Sequence, residues 1–574
     1  MTISQTLALQ PRLQTAIPAT LSNLPLALAR LYAARGVQHP DELQLKLSRL
    51  LPAQNLKGLS TALARLDQAI DQQQRILIVG DFDADGATST ALMVLALRQM
   101  GALVDFLVPD RFKYGYGLTP EIVGLALSDY QPDLIVTVDN GISSHQGVAA
   151  AHAAGVEVII TDHHLTSKMP PPALAVVNPN QPDCTFASKA LAGVGVAFYL
   201  LAALATHRRG LGKATAKLTD YLDLVALGTV ADVAPLDANN RILVAHGVQR
   251  IRAGQCRAGL LALLEIAGRK PDQLNAQDLG FVLGPRINAA GRMDNMRIGI
   301  ECLLAADMDS ARPLAEQLDQ LNRERRHVEA EMKSDALALL SDRVLFADGQ
   351  LPHAIVLYEP SWHQGVIGIV AGRLKEQFHR PSIVFAPSDE SAQWLKGSAR
   401  SIAGVHIRDA IERVAEQHQG VISHFGGHAM AAGLTLAADQ LPTFIAAFEA
   451  VIAEHDDSLF APVLLTDGVL AADQLSLGFA QQLLTGGPWG QGFAAPVFEG
   501  QFAVLEQRWL QGKHIKWLLR PTDGGAWVEA IWFNADPAWP ESASTVYLAY
   551  QLDINHFRGE RRLQLMVQHV EPLA

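Results

Sequence analysis

Three carboxylates stand within five residues in Asp81-Phe82-Asp83-Ala84-Asp85, directly after the apolar run Ile76-Leu77-Ile78-Val79-Gly80. Two further β-branched runs end the same way: residues 134–138 lead into Asp139, and residues 156–161 into Asp162-His163-His164. A fourth acidic arrival, Asp232, follows the apolar helical pattern that closes on Gly228-Thr229-Val230-Ala231. In open parallel sheets ligands bind beyond the carboxyl ends of the strands, so the three strand endings are expected to meet in one crevice. Oxygen and imidazole donors without thiolates suit Mn2+ or Mg2+ rather than a structural zinc. The chain therefore reads as a metal-dependent enzyme acting on phosphate. A lone aspartate at a strand end is ordinarily a helix cap. Capping does not require three acidic residues in five, nor a consecutive Asp-His-His.

The elements that must position these residues follow from periodicity. Between residues 76 and 177, short β-rich runs alternate with helical patterns at 87–100 and 143–154, which predicts repeated βαβ units and a parallel sheet. Helical segments at 190–206 and 217–227 lead to Asp232. From about 310 to 340, Leu314, Leu318, Leu321, Val328, Met332 and Leu339 recur at helical spacing, predicting a long amphipathic helix with Pro313 in its first turn. A second α/β unit is expected next, with strands at 354–358 and 382–385 and helices at 365–378 and 407–417. After Pro462 short alternating stretches, at 516–520, 527–533 and 545–552, predict a small antiparallel barrel. The division is therefore a helical N-terminal region (1–70), a catalytic domain (71–305), a connecting helix (306–345), a second α/β domain (346–461) and the barrel (462–574). A chain cut near Pro462 is expected to leave both α/β domains folded.

With 574 residues and 49% hydrophobic composition the chain can build several cores. Cys184, Cys256 and Cys302 lie far apart, which predicts neither a zinc knuckle nor a disulfide framework. No apolar run could span a bilayer and the N-terminus lacks a signal-peptide pattern, so a soluble, cytoplasmic protein without a membrane partner is expected. A net charge of −12 counts against nucleic-acid binding overall, yet basic residues cluster locally at 111–113, 323–326, 513–516 and 558–562. Each such cluster is most often a solvated face.

GDFDADG, VDNGISS, TDHH and LGTVADVAPL, in that order, resemble the four signature blocks of the DHH phosphoesterase superfamily, and GPRINAAGRM, KGSARS and HFGGHAMAAG resemble its RecJ branch. The resemblance runs from about Ile76 to Gly433, and the C-terminal part fits as well. It implies an α/β fold: a parallel-sheet DHH domain, a long connecting helix, a DHH-associated domain and a C-terminal OB-fold-like β-barrel. It also implies a 5′→3′ exonuclease specific for single-stranded DNA, releasing 5′-mononucleotides in bacterial DNA recombination and repair, with single-strand-binding protein and a repair helicase as partners. Carried over residue by residue, Asp139 bridges two divalent ions, Mn2+ or Mg2+; Asp83 belongs to one ion and Asp85, His163 and Asp232 to the other. Asp162 orients His163, and His164 faces the scissile phosphate or its leaving group. Many superfamily members carry a histidine where this chain has Val79, so Asp81, or water and substrate oxygens, completes the first site.

The same resemblance places Arg111, Arg286 and Asn288 on the terminal phosphate and nearby backbone, a role that suits a guanidinium fork. It places Ser398, Arg400, Ser401, Gly426, Gly427 and His428 on the nucleotide backbone, the glycine pair permitting close approach of main-chain N–H groups. Functional residues on two domains imply a cleft for a single threaded strand. In the barrel, Trp509, Lys513, Lys516, Trp517, Arg558 and Arg561 are candidates for a DNA surface, with core packing an equal reading for Trp517. Two competitors remain: a small-substrate DHH hydrolase, which the barrel and long helix oppose, and a scaffold that has lost its metal ligands, which the intact ligand set opposes.

Overall fold

The computed structural model describes every residue except 1–6, 13–15, 111–112, 167–168, 347–350, 389–391, 538, 540–542, 558 and 574, with only the backbone of 342–346 and 557. The chain forms two compact units: Pro11–Gln320 with Thr466–Ala574, and Leu321–Leu465 with an N-terminal segment up to Gln10.

The larger unit is built around five parallel strands, β1 (Arg75–Val79), β2 (Leu103–Leu107), β3 (Leu134–Val138), β4 (Glu157–Thr161) and β5 (Ala175–Val177), in the order β2-β1-β3-β4-β5. Every residue of β3 is buried, as expected for a strand covered on both faces. The chain leaves β1 to one side to make β2 and returns on the other side as β3, so a topological switch point lies between β1 and β3. Register pairs Val79 with Thr137, and Val138 with Thr161. The residues that follow each strand therefore emerge at one edge, which is where Asp81, Asp139 and Asp162 stand. Helix α1 (Ala84–Gln99) is buried along nearly its whole length, and α2 (Gly193–Gly210) and α3 (Leu222–Ala231) pack against it. The approach to α3 is so close that a Cβ on Gly228 would stand 2.8 Å from Asp85 Oδ1. A π-helical turn, Leu279–Leu283, then runs into α4 (Gly284–Met293), which carries the GPRINAAGRM block.

The chain passes to the smaller unit within a 39-residue helix, Met308–Phe346. That unit holds β6 (Ile355–Tyr358), β7 (Ser382–Pro387), β8 (Trp394–Arg400), β9 (His424–Gly427) and β10 (Ala431–Ala437), ordered β9-β10-β8-β7-β6 with β6 and β7 the parallel pair. Its core stacks Phe444 on Phe448 at 5.6 Å, with Phe385 edge-on to Phe444. Strand β8 and the β9–β10 hairpin were not expected from sequence, because KGSARS and GGHAMAAG are too small and glycine-rich to show alternation. Gly397 explains one of the small residues: a Cβ there would lie 2.5 Å from the Phe385 ring.

The C-terminal barrel is closed in the order β11-β12-β13-β15-β14, from β11 (Phe498–Leu510), β12 (His514–Pro521), β13 (Val528–Trp532), β14 (Thr545–Phe557) and β15 (Glu560–Leu573). Among the described residues of the barrel, β13 and β15 are the strands that pair in parallel. The barrel core extends beyond the barrel, for Leu31 of the Leu26–Ala33 helix is part of it. Arg35 forks onto Asp467 with two 2.9 Å hydrogen bonds and donates to the Ala494 carbonyl at 2.6 Å. A cut near Pro462 would thus strip the N-terminal helix of apolar and ionic partners.

Candidate metal centre

Asp83 does two jobs. Its Oδ1 accepts the backbone N–H groups of Asp85 (2.9 Å) and Gly86 (3.0 Å), so it caps α1 as an ordinary N-cap would. It also belongs, with Asp81 and Asp139, to a group whose ligand atoms lie within 4.8 Å of one another. Asp85 accepts the N–H groups of Gly193 (2.6 Å) and Val194 (2.9 Å) at the N-terminus of α2, where the helix dipole favours a carboxylate. Asp232 sits at the opposite end of a helix, following the last residue of α3, where that dipole disfavours a negative charge.

Asp139 adopts a left-handed backbone, φ +61°. Its N–H donates to the Thr161 carbonyl at 3.0 Å and its carbonyl accepts from the Tyr116 hydroxyl at 3.0 Å, which together hold the conformation. A Cβ on Gly193 would stand 2.6 Å from Asp139 Oδ1, so only glycine fits beside that carboxylate. His163 Nε2 faces Asp139 Oδ1 at 3.1 Å, Asp232 Oδ2 at 3.8 Å and Asp85 Oδ2 at 3.9 Å. Nε2 is therefore the ring nitrogen that faces all three carboxylates, placed to act as the ligand atom.

The residues fit a pair of divalent cations. Asp139 Oδ1 and His163 Nε2 are both buried and neither has a hydrogen-bond partner. Buried polar atoms of this kind are costly unless something else satisfies them. Burial, then the charges of Asp85, Asp83, Asp81 and Asp232, push the Asp139 carboxyl well above the usual carboxylate range. Asp232 is pushed up by burial, Asp85 and Asp83. Burial and the adjacent His164 lower His163 to about 4, so its imidazole is neutral and has a lone pair to give. Crowded carboxylates with one neutral imidazole form a hard, anionic donor set.

Asp162 departs from its expected role. Its Oδ1 accepts from His164 Nδ1 at 2.7 Å and from the His163 and His164 N–H groups, and its Oδ2 from the Ile142 N–H at 2.8 Å. It therefore orients the His164 ring and not that of His163. Burial lowers His164, but the hydrogen bond and charge of Asp162, with Asp81 and Asp232, outweigh it and raise the ring to about 9. Tyr116, which the sequence reading missed, lies with its hydroxyl 3.2 Å from His164 Nδ1. The signal was its place between Gly115 and Gly117, both left-handed at φ +76° and +81°. Asn140 was missed too; its amide spans the ends of β1 and β3 through the carbonyls of Val79 (3.2 Å) and Val138 (2.9 Å). The Val79 side chain belongs to the core, so no ligand reaches the site from that position.

The expected substrate handles fall into three groups. Arg111 lies outside the described residues. Arg286 donates to Asp319 (2.9 Å) and to the Val282 carbonyl (2.7 Å), and Asn288 Oδ1 accepts the Ala84 N–H at 2.7 Å, bracing the start of α1. In the smaller unit the register sets Gly433 opposite both Ser398 and Gly426, Ala432 opposite Gly427, and Ala431 opposite Arg400; the His428 N–H donates to the Ala431 carbonyl. These residues thus share one end of the sheet. Ser401 does not join them as a free hydroxyl: it is buried and donates to the Val405 carbonyl at 2.6 Å, holding a turn. In the barrel, Trp517 is 1% exposed and belongs to the core. Lys516 pairs with Glu529 at 2.9 Å, Arg561 bonds Gln481, Trp509 packs partly against the core, Lys513 is exposed, and Arg558 lies outside the described residues.

Three family models match the chain in order: the DHH family N-terminal domain over residues 75–229, the DHHA1 domain over 351–454 and the RecJ OB domain over 466–569. The single-stranded-DNA-specific exonuclease RecJ of Dickeya dadantii is 51% identical over 100% of both chains. Its counterpart in Escherichia coli is 50% identical over 96% of this chain and 97% of its own. The crystal structure of RecJ from Thermus thermophilus with Mn2+ superposes with a TM-score of 0.79 at 34% identity, covering 99% of this chain and 80% of that one; a Mg2+ complex superposes at 0.74.

Proposed function

The chain belongs to the RecJ family of DHH phosphoesterases, and from that membership we propose that its metal centre hydrolyses single-stranded DNA from the 5′ end, releasing 5′-mononucleotides. It is a metal-dependent exonuclease of single-stranded DNA, with the recombination and repair role that the family implies. Relatives bind Mn2+ and Mg2+, and the clusters here suit either ion. Asp81, Asp83 and Asp139 would hold one cation and Asp85, Asp139, His163 and Asp232 the other. Such a pair supplies an activated water and charge neutralisation on the phosphoryl group.

The chain's own residues do the remaining work. Asp139, held left-handed by Tyr116 and Thr161, presents its carboxylate between the two groups of ligands. His164 keeps Nδ1 on Asp162 and carries its second proton on Nε2, where it neutralises the phosphate and protonates the departing 3′ oxygen. Arg286, paired with Asp319, is the proposed contact to the terminal phosphate. Ser398, Arg400, Gly426, Gly427 and His428 form a second backbone contact, and the barrel a third. The five-part division of the chain stands as part of this proposal, as do a single-strand-binding protein and a repair helicase as partners and a cytoplasmic location. Among the described residues no helix is long and apolar enough to cross a membrane.

The pair of unsatisfied buried atoms, Asp139 Oδ1 and His163 Nε2, carries this reading. End-labelled single strands, duplex and short RNA incubated with the protein under Mn2+, Mg2+ or chelator test it. Single strands shortened from the 5′ end in either metal support the reading; preference for short RNA or cleavage unaffected by chelator opposes it.

A further inference from the structure

The segment between the Leu477–Thr485 helix and β11 reaches back to the turn that follows Asp232. Trp489 and Phe493 stack at 5.0 Å, 10° from parallel, and Trp489 Nε1 donates to the Leu483 carbonyl at 2.7 Å, which ties the pair to the barrel's flanking helix. Arg241, almost wholly buried, lies over the Phe493 ring at 4.1 Å. Between the two aromatics, the Gln491 carbonyl accepts the Leu236 N–H at 2.7 Å. Contact there is close: a Cβ on Gly490 would meet Leu236 Cδ1 at 2.7 Å, and one on Gly492 would meet Pro235 at 3.4 Å. Pro235 and Leu236 stand three and four residues after Asp232.

Val233, directly after that ligand, is left-handed at φ +59°. A β-branched residue is a genuine outlier there, and such strain persists only where surrounding structure over-determines it. On the near side of Val233, α3 closes through its own backbone, the N–H groups of Asp232, Val233 and Ala234 donating to the carbonyls of Gly228, Val230 and Thr229. On the far side, Pro235 and Leu236 are held by Asn240, whose amide donates to the Pro235 carbonyl at 2.9 Å, and by residues 489–493.

We propose that residues 489–493 are a positioning element for the metal ligand Asp232, clamping the strained turn 233–236 so that the carboxylate faces His163 and Asp85. Phe493, Gly490 and Leu236 act through Asp232 and touch neither metal nor DNA. The barrel then has a second role beside binding: its docking helps to set metal affinity. The proposal rests on Asp232 being a ligand.

The test is calorimetric titration of the full-length protein with MnCl2, paired with steady-state kinetics on a single strand. Phe493→Leu keeps apolar volume but removes the stack on Trp489 and Arg241. Gly490→Ala moves Leu236 without opening the core and serves if the first variant folds poorly. Phe444→Leu, a core change in the other unit, controls for lost stability. Both connector variants are expected to weaken Mn2+ binding about tenfold, to lower kcat at limiting Mn2+ with recovery at high Mn2+, and to leave KM for DNA unchanged, while Phe444→Leu binds Mn2+ as wild type does. Asp232→Asn separates the two layers of the argument. Weakened binding in Asp232→Asn with wild-type affinity in both connector variants overturns the positioning proposal alone; wild-type affinity in Asp232→Asn removes the ligand assignment and the proposal together.

Discussion

Replacing Asp139 by asparagine should stabilise the metal-free protein while abolishing its activity. Asp139 is 2% exposed, and its ligand atom lies within 4.8 Å of those of Asp81 and Asp83. At an effective dielectric of about 20, two like charges at that separation repel by roughly 3.5 kcal/mol. Proton uptake by the crowded carboxyls relieves part of this, so removing one charge should recover about 2 kcal/mol without metal. Asparagine tolerates the left-handed backbone as aspartate does and is nearly its size, so neither strain nor a cavity offsets the gain. The assay is thermal unfolding of the chelator-treated protein with and without added Mn2+, alongside hydrolysis of an end-labelled single strand. The metal-free variant should melt a few degrees above wild type, gain little from Mn2+ where wild type gains most, and lose at least about 100-fold in rate. A metal-free variant less stable than wild type would refute the repulsion argument. A rate above about a tenth of wild type, a loss below 1.4 kcal/mol, would refute the bridging role.

Tyr116→Phe removes the hydroxyl that braces the Asp139 carbonyl and approaches His164; kcat should fall about tenfold with KM unchanged, measured by steady-state kinetics on a single strand. In the metal-free protein Asp85 is raised to about 7, chiefly by burial and Asp83, and His164 to about 9 by Asp162 against burial. Both groups bind protons more tightly folded than unfolded, so their contributions are full in acid, while His163, lowered to about 4, works in the opposite sense below about 6.5. Stability should therefore decline as pH rises from about 6.5 to about 9, a decline that shrinks in Asp162→Asn, and denaturant midpoints across that range check it. Arg286→Ala should weaken binding of 5′-phosphorylated strands more than of 5′-hydroxyl strands, by about tenfold, in a filter-binding comparison; equal losses would assign Arg286 to its Asp319 pair alone.

The metal centre was legible because its ligands stand at the ends of strands that alternation and β-branching reveal, so chain position alone brought Asp83, Asp139 and His163 to one edge. Asp83 shows why the capping reading was incomplete: one oxygen caps α1 while the carboxylate still belongs to the ligand group. Adjacency misled at Asp162, which holds the ring two residues on and not its immediate neighbour's, because side-chain direction at a strand exit is not visible in sequence. Tyr116 and Asn140 act through main-chain carbonyls, and beyond the glycines that flank Tyr116 such contacts leave no pattern of residue type or spacing. Trp517 could have faced core or solvent on alternation alone, and closure of the barrel put it inside. The docking of the barrel against the N-terminal helix and the Asp232 turn joins segments hundreds of residues apart and could not be read from either.

The account rests on two cations sharing Asp139, and anomalous diffraction from crystals grown with Mn2+ addresses that directly. Two peaks are expected about 3.5–4 Å apart, both in contact with Asp139, one reached by Asp81 or Asp83 and the other by Asp85, His163 and Asp232. Peaks that do not touch Asp139, or no peak among these residues at saturating Mn2+, would contradict it.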